Sequence, residues 1–255
     1  MPILIYLLKF IHRLLKRNEK NIVLYSNVFY IISKIIEPGL TRTLKLRLRK
    51  GDTFVDIGAN IGYYSILASK ICGPSGMVLS FEPDPNHFNS LVRNCRYNNC
   101  QNIVFEQKGL GRETKSGRLY LNPVNTSDHS TYPIDDRKSI DIKITSVDEY
   151  LESKMITKVD FIKLDVQGSE PSVFQGMLKT IDSNPDVTII TEFSPKWLKR
   201  SKNCPNDYLK ILEELGFEPY LVKERSNLVK ISYNSIYSHL KDRIEIDIML
   251  KKPTL

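Results

Sequence analysis

From residue 51 onward, short apolar runs alternate with stretches of helical spacing. "TFVDIG", "MVLSFEP" and "NIVFEQ" read as strands. Helical patterns follow the first two, through "YYSILASKI" and from Pro85 to about Tyr97. "VDFIKLDV" and "DVTIITEF" are a fourth and a fifth strand, separated by a helix through "PSVFQGMLKTI". "DYLKILEELGF" is a helix ended by Gly216, and "EPYLVK" and "IEIDIML" supply two last strands. "GRLYLN" and "IDIKIT" read as a hairpin-like insertion. This alternation predicts an α/β fold with a doubly wound, mostly parallel sheet of seven strands.

The first fifty residues follow another pattern. In "MPILIYLLKFIHRLLKR" the polar residues Lys9, His12, Arg13, Lys16 and Arg17 step by three or four, forming one stripe on an otherwise apolar helix. The apolar run is too short to span a bilayer, and its basic residues follow the apolar stretch rather than precede it as in a signal peptide. Two readings stand: a helix lying on an anionic membrane surface through residues 1–17, or one docked on this domain or a partner. "NVFYIISKII" reads as a second helix stopped by Pro38-Gly39, and "LKLRLRK" fits a strand or a helix end. The organisation expected is a basic helical extension over 1–50 and a single α/β domain over 51–255.

Charge sharpens that division. The formal net charge is +8, yet residues 1–50 alone hold eleven Lys/Arg against two Glu. The body is therefore near neutral, and the basic character belongs to the N-terminal part. The four cysteines, Cys72, Cys95, Cys100 and Cys204, form no CxxC pair and read as reduced thiols of a cytoplasmic protein, placed at the inner membrane face if the first helix binds lipid.

"VDIGANIGYYS" carries the chemistry. A glycine turn after a strand sits where doubly wound sheets bind ligands. Its GxxxG spacing is neither the dinucleotide GxGxxG nor a phosphate-binding P-loop. Asp56 at the strand tip would repel phosphate and suit a cation. Glu82, at the tip of the next strand, suits a ribose diol. A cationic ligand with an open ribose and no phosphate fits S-adenosylmethionine, with NAD as the runner-up.

"VDIGANIGYYS", "FEPDP", "FIKLDVQGSE" and "ITEF", in this order over roughly residues 50–195, resemble the FkbM family of S-adenosylmethionine-dependent methyltransferases. The resemblance implies the class I methyltransferase (Rossmann-like) fold and O-methylation, often of sugar or polyketide hydroxyls. It places Asp56, Gly58, Asn60, Gly62 and Tyr63 around the methionine part of the cofactor and Glu82 on the ribose, with Asp84 stabilising that loop. The family's usual DVEG is here Asp165-Val166-Gln167-Gly168, and its Ala-Leu-Gly is Gly109-Leu110-Gly111.

Methyl transfer needs an aligned acceptor oxygen and a base near its proton. The candidate catalytic residues are Asp165 and Glu192 at the tips of the fourth and fifth strands, Glu170 at a helix start, and His129 in "NTSDHSTY". Asp165 and Glu192 could jointly hold Mg²⁺, but a metal is not the favoured reading. The acceptor expected is a hydroxyl of a sugar, glycolipid or secondary-metabolite-like molecule. The rival readings are a nucleic-acid methyltransferase, which would show an (N/D)PP(Y/F) turn where this chain has "DVQG", and a non-catalytic binding module, which would have lost the glycines and Glu82. Oligomeric state leaves no mark in the sequence.

Overall fold

The computed structural model describes residues 37–125, 128–134, 136–223, 228–241 and 243–253. The striped N-terminal helix and "NVFYIISKII" lie outside the described residues. Among those described, no helix is long and apolar enough to cross a membrane.

The first described helix, α1 (Pro38–Arg47), begins where the sequence pattern placed a stop. Proline at the first helical position lacks only an N–H that would go unpaired there, so Pro38 opens a helix as readily as it ends one. "LKLR" lies inside α1, which settles its helix-or-strand ambiguity. Leu40, Leu44 and Leu48 are buried with the helices on one face of the sheet, so the hydrophobic core begins before residue 51. Burying a side chain such as Leu44 contributes about 1.5–3 kcal/mol.

The alternation then runs as expected: β1 (Thr53–Ile57), α2 (Tyr63–Cys72), β2 (Met77–Phe81), α3 (Pro85–Tyr97) and β3 (Ile103–Glu106). Next come β4 (Gly109–Leu110), β5 (Lys115–Tyr120) and β6 (Ser139–Thr145), then α4 (Val147–Ser153) and β7 (Phe161–Leu164). The hairpin-like insertion is real: β5 and β6 pair antiparallel, and β4 joins them to make a separate three-stranded sheet. The expected helix through "PSVFQGMLKTI" is broken into α5 (Glu170–Gln175) and α6 (Leu178–Ser183). The break falls at Gly176, where the chain passes so close to β4 that a Cβ would lie 2.0 Å from the Gly111 carbonyl oxygen. The chain closes with β8 (Thr188–Phe193), α7 (Pro195–Arg200), α8 (Pro205–Glu214), β9 (Glu218–Leu221), β10 (Val229–Lys230), α9 (Ile236–Leu240) and β11 (Ile246–Lys251).

The main sheet has the order β10-β9-β11-β8-β7-β1-β2-β3. All seven expected core strands are in it, and the two-residue β10 adds an eighth at the edge beside β9. β1 pairs in parallel with both β2 and β7, and β11 is antiparallel to both β8 and β9. Successive residues point to opposite faces: Phe54 and Phe161 join the core under α1, α2 and α3, while Val55, Ile57, Ile162 and Leu164 join the other core. Burial on both faces explains why these strands read as nearly continuous apolar runs. The register sets Asp56 directly beside Lys163 on β7 and Ser80 on β2.

Candidate functional site

A cleft of about 390 Å³ opens over the carboxyl ends of β1, β2, β7 and β8. That volume falls within the range of roughly 300–1,000 Å³ usual for small-molecule sites.

The glycine turn forms its floor. Gly58 has φ 76° and Gly62 φ 93°, a backbone region that L side chains rarely adopt. A Cβ on Gly58 would sit 2.0 Å from the Asp165 carbonyl oxygen, and one on Gly62 would sit 2.7 Å from Leu91 Cδ1. Both glycines thus let the turn lie tightly against β7 and α3. The Gly58 and Ala59 N–H groups both donate to the Phe81 carbonyl, fixing the turn to the tip of β2.

Glu82 is the hub of the second strand tip. It is buried, and its two carboxylate oxygens accept from the Asn60 N–H at 2.8 Å and the Asp84 N–H at 2.9 Å. Burial pushes its pKa up, opposed by His87 and these two N–H groups. Each oxygen keeps further acceptor capacity toward the cleft, as a ribose diol requires. Asp84 caps α3, accepting from the Asn86 and His87 N–H groups at 2.7 and 2.9 Å. Burial would raise its pKa, but the His129 hydrogen bond and the His87 N–H outweigh burial and bring it down to about 2.

His129 reaches over from the loop after β5. Its Nδ1 accepts from the Asn122 N–H at 3.0 Å, so the neutral ring carries its proton on Nε2, which faces Asp84 Oδ2 at 3.5 Å. Asp84, His87 and His129 bring potential metal ligands within 4.8 Å of one another. The two imidazoles nevertheless stack 15° from parallel, and one His129 nitrogen is already committed as an acceptor. Ring-plane lone pairs so arranged do not converge on one ion.

The tips of β7 and β8 form the opposite end. Asp165 Oδ1 accepts from Gln167 Nε2 at 3.1 Å, and its Oδ2 lies 3.4 Å from the Lys163 ammonium. The glutamine in place of the family's glutamate therefore acts as a donor to Asp165. Glu37, Glu192 and Glu245 line the same end, with Trp197 beside them donating from Nε1 to Glu245 at 3.2 Å. The Glu192 carboxylate has no hydrogen-bond partner among the described residues. Burial, followed by Asp165, Glu245, Glu170 and Asp247, holds it well above the usual carboxylate range.

Of the residues singled out from sequence, Gly58, Asn60, Tyr63, Glu82, His129, Asp165 and Glu192 line the cleft. Asp56, Gly62, Asp84 and Glu170 do not. Asp56 is fully buried beneath the turn, accepting from Ser65 Oγ at 2.6 Å. Glu170 closes the loop after β7, its Oε1 accepting from the Val166 and Gly168 N–H groups, each at 3.2 Å. Burial brings the Glu170 pKa up to about 7 against the pull of those N–H groups. Sequence reasoning missed Lys163, His87, Glu37, Trp197 and Glu245. Lys163 alone had a signal, a lysine inside a strand otherwise buried on both faces.

The methyltransferase FkbM domain matches residues 56–219, more than half of the chain. A hexuronic acid methyltransferase of Haloferax volcanii is 29% identical over 147 residues, 58% of this chain and 59% of that protein. Methyltransferase 1 of Beauveria bassiana is 29% identical over 147 residues, 49% of this chain and 59% of its own. The matches thus span less than two thirds of either relative. A solved structure of a Klebsiella pneumoniae protein assigned as an O-methyltransferase shares the fold at a TM-score of 0.51 and 13% identity, covering 86% of this chain and 80% of that one. The glycine turn, the ribose-suited Glu82 and the domain match together place this chain in the FkbM family of S-adenosylmethionine-dependent methyltransferases.

Proposed function

We propose that the chain transfers a methyl group from S-adenosylmethionine to a hydroxyl of a sugar or sugar-conjugate acceptor, with Glu192 as the base. The observation that carries this reading is the pairing of a cofactor-suited end, built on Gly58, Asn60 and Glu82, with an acceptor end lined by Asp165, Glu192, Glu245 and Trp197. Carboxylates accept hydrogen bonds from hydroxyls, and an indole offers an apolar face to a sugar ring. The hexuronic acid methyltransferase among the relatives supports a carbohydrate acceptor.

Asp165 and Glu192 divide the work by their surroundings. Asp165 is already gripped on both oxygens, by Lys163 and Gln167, and acts as an oriented anion near the reacting end. Glu192 is ungripped, faces the cleft and has its proton affinity raised by burial and like charge. A carboxylate tuned upward toward neutrality is the better general base. The cofactor supplies the transferable methyl, and the protein aligns the acceptor oxygen and receives its proton.

The test is a screen of neutral glycans, glycolipids and nucleotide sugars with methyl-labelled cofactor. Label recovered as a base-stable methyl ether on a sugar supports the reading. Label that appears only on nucleic acid or protein overturns it.

A further inference from the structure

Lys163 is 4% exposed at the centre of the main sheet, an unusual position for a lysine. Its ammonium donates to the Gly58 carbonyl at 3.0 Å. It lies 3.4 Å from Asp165 Oδ2 and 3.7 Å from Asp56 Oδ1, an oxygen with no hydrogen-bond partner of its own. The Tyr64 ring covers it, with the centroid 5.6 Å away. The register explains this placement, since Lys163 and Asp56 are direct neighbours on paired strands. The chain of contacts continues from Asp56 to Ser65 and from Ser65 to Ser80, so the array crosses three strands and α2 beneath the cleft.

We propose that Lys163 is a positioning residue for the cofactor: its ammonium fixes the Gly58 carbonyl and the Asp56 and Asp165 carboxylates in one array, which presets the turn that receives the methionine part. The inference rests on the cofactor half of the proposed function and is independent of the acceptor. Without the ammonium, the Gly58 carbonyl loses its donor, and two carboxylates on adjacent strand tips face each other without a cation between them. The turn would then have to be organised by the ligand at the cost of affinity. Lys163 also lines the cleft, so a small cation can reach its place from solvent when the side chain is shortened.

The experiment is calorimetric titration of S-adenosylhomocysteine into the full chain and its variants, with melting curves on the same samples. Lys163→Met keeps the apolar stem and removes the charge, and should bind about tenfold more weakly or worse. Lys163→Ala should lose affinity similarly and regain it in n-propylammonium, which replaces the deleted atoms, but not in n-propanol. If Lys163→Met does not fold, Lys163→Met with Asp56→Asn removes the buried charge imbalance and is compared with Asp56→Asn alone. Rescue by the amine and not by the alcohol supports positioning by charge. Equal rescue by both, or Lys163 variants that bind as tightly as their reference proteins, overturns it. Wild-type protein that fails to bind S-adenosylhomocysteine would remove the cofactor reading and this inference together, whereas normal binding by the variants removes the inference alone.

Discussion

Glu192 and Asp247 stand directly opposite each other on the antiparallel pair β8 and β11. Two like-charged side chains at such a position repel when both are ionised. Burial pushes the Asp247 carboxyl well above its usual range, followed by repulsion from Glu37 and Asp165, and Asp247 in turn raises Glu192. The antiparallel return of β11 thus adds to the burial and to the repulsion from Asp165, Glu245 and Glu170 that raise the proton affinity of the carboxylate at the tip of β8.

The first prediction concerns that carboxylate. Glu192→Gln should lower kcat by roughly 10²–10⁴-fold while leaving S-adenosylhomocysteine affinity within a few-fold, since the loss is of a base and not of a cofactor contact. Activity should fall as pH drops through the raised pKa of Glu192. In Asp247→Asn one source of that elevation is gone, so the acid limb of the profile should move to lower pH. Methyl transfer measured across pH checks both, and an unchanged kcat in Glu192→Gln would return the role of base to Asp165.

Glu170 is expected to be structural. Its carboxyl titrates near 7 in the folded chain and near 4.5 in the ordinary state. The folded protein holds this proton where the unfolded one has released it, so the group's contribution to stability declines as pH rises from about 4.5 to 7, by roughly 3 kcal/mol in total. Glu170→Gln keeps an acceptor for the Val166 and Gly168 N–H groups but does not titrate. Chemical denaturation at pH 5 and pH 8 should show a smaller drop for this variant than for the wild type, with turnover retained. Lost turnover in a variant of normal stability would make Glu170 the catalytic acid that its place in the sequence suggested.

The sequence exposed the sheet well because its central strands β1, β2, β7 and β8 are buried along nearly their whole length and the helices α2 and α3 keep their own period. It misplaced Pro38-Gly39 because a proline marks a helix boundary without saying which side is helical. It missed the break at Gly176 because the close approach there is to Gly111, distant in the chain. At the site, the turn and Glu82 were legible because they are contiguous and their spacing has a physical meaning. Glu37 and Glu245 were not, since they reach the cleft only when the start of α1 and the residue before β11 converge on β8. Lys163 could have been read, because a lone lysine in a buried strand implies anionic partners.

His129 should matter to the cofactor end rather than to proton transfer. One ring nitrogen is bonded to the Asn122 N–H and the other faces Asp84, while Thr131 Oγ1 meets Ser169 Oγ at 2.6 Å across the cleft. The loop therefore spans from α3 to the turn after β7. His129→Ala should weaken S-adenosylhomocysteine binding several-fold yet leave kcat at saturating cofactor nearly intact. It should also reveal itself in acid. Asp84 titrates near 2 when folded and near 4 when unfolded, so it adds stability above about pH 4 that is lost as pH falls toward 2. Without His129 the Asp84 pKa moves back toward its unfolded value, so the variant lacks that stability already above pH 4 and should lose less of it between pH 4 and pH 2, which urea denaturation followed by circular dichroism across that range would register. An equal loss across that range in the two proteins would contradict the contact.

The last prediction sets acceptor charge. The acceptor end presents Glu37, Asp165, Glu192 and Glu245. Among the lining residues the lysines are Lys163, which is engaged by Asp165 and Asp56, and Lys108, which pairs with Glu106 at 2.9 Å. A bound cofactor brings a sulfonium and an ammonium against one carboxylate, so it offsets only part of this negative charge. An acceptor bearing a free carboxylate would add a further anion beside Asp165 and beside Glu37, Glu192 and Glu245, which burial already holds above the usual carboxylate range, and like-charge juxtaposition at a desolvated contact costs several kcal/mol. A neutral hexoside meets no such penalty, and an amino sugar gains from it. Matched acceptors differing only at one position, a hexoside, its uronate and its amine, should therefore rank amine or neutral sugar above uronate in kcat/KM. The gap should narrow in Glu245→Gln, which removes one charge at the Trp197 side of the cleft, and should shrink further in high salt as screening increases. A wild-type preference for the uronate would mean that its carboxylate is not placed beside these acids, and the acceptor would have to enter from the His129 side instead.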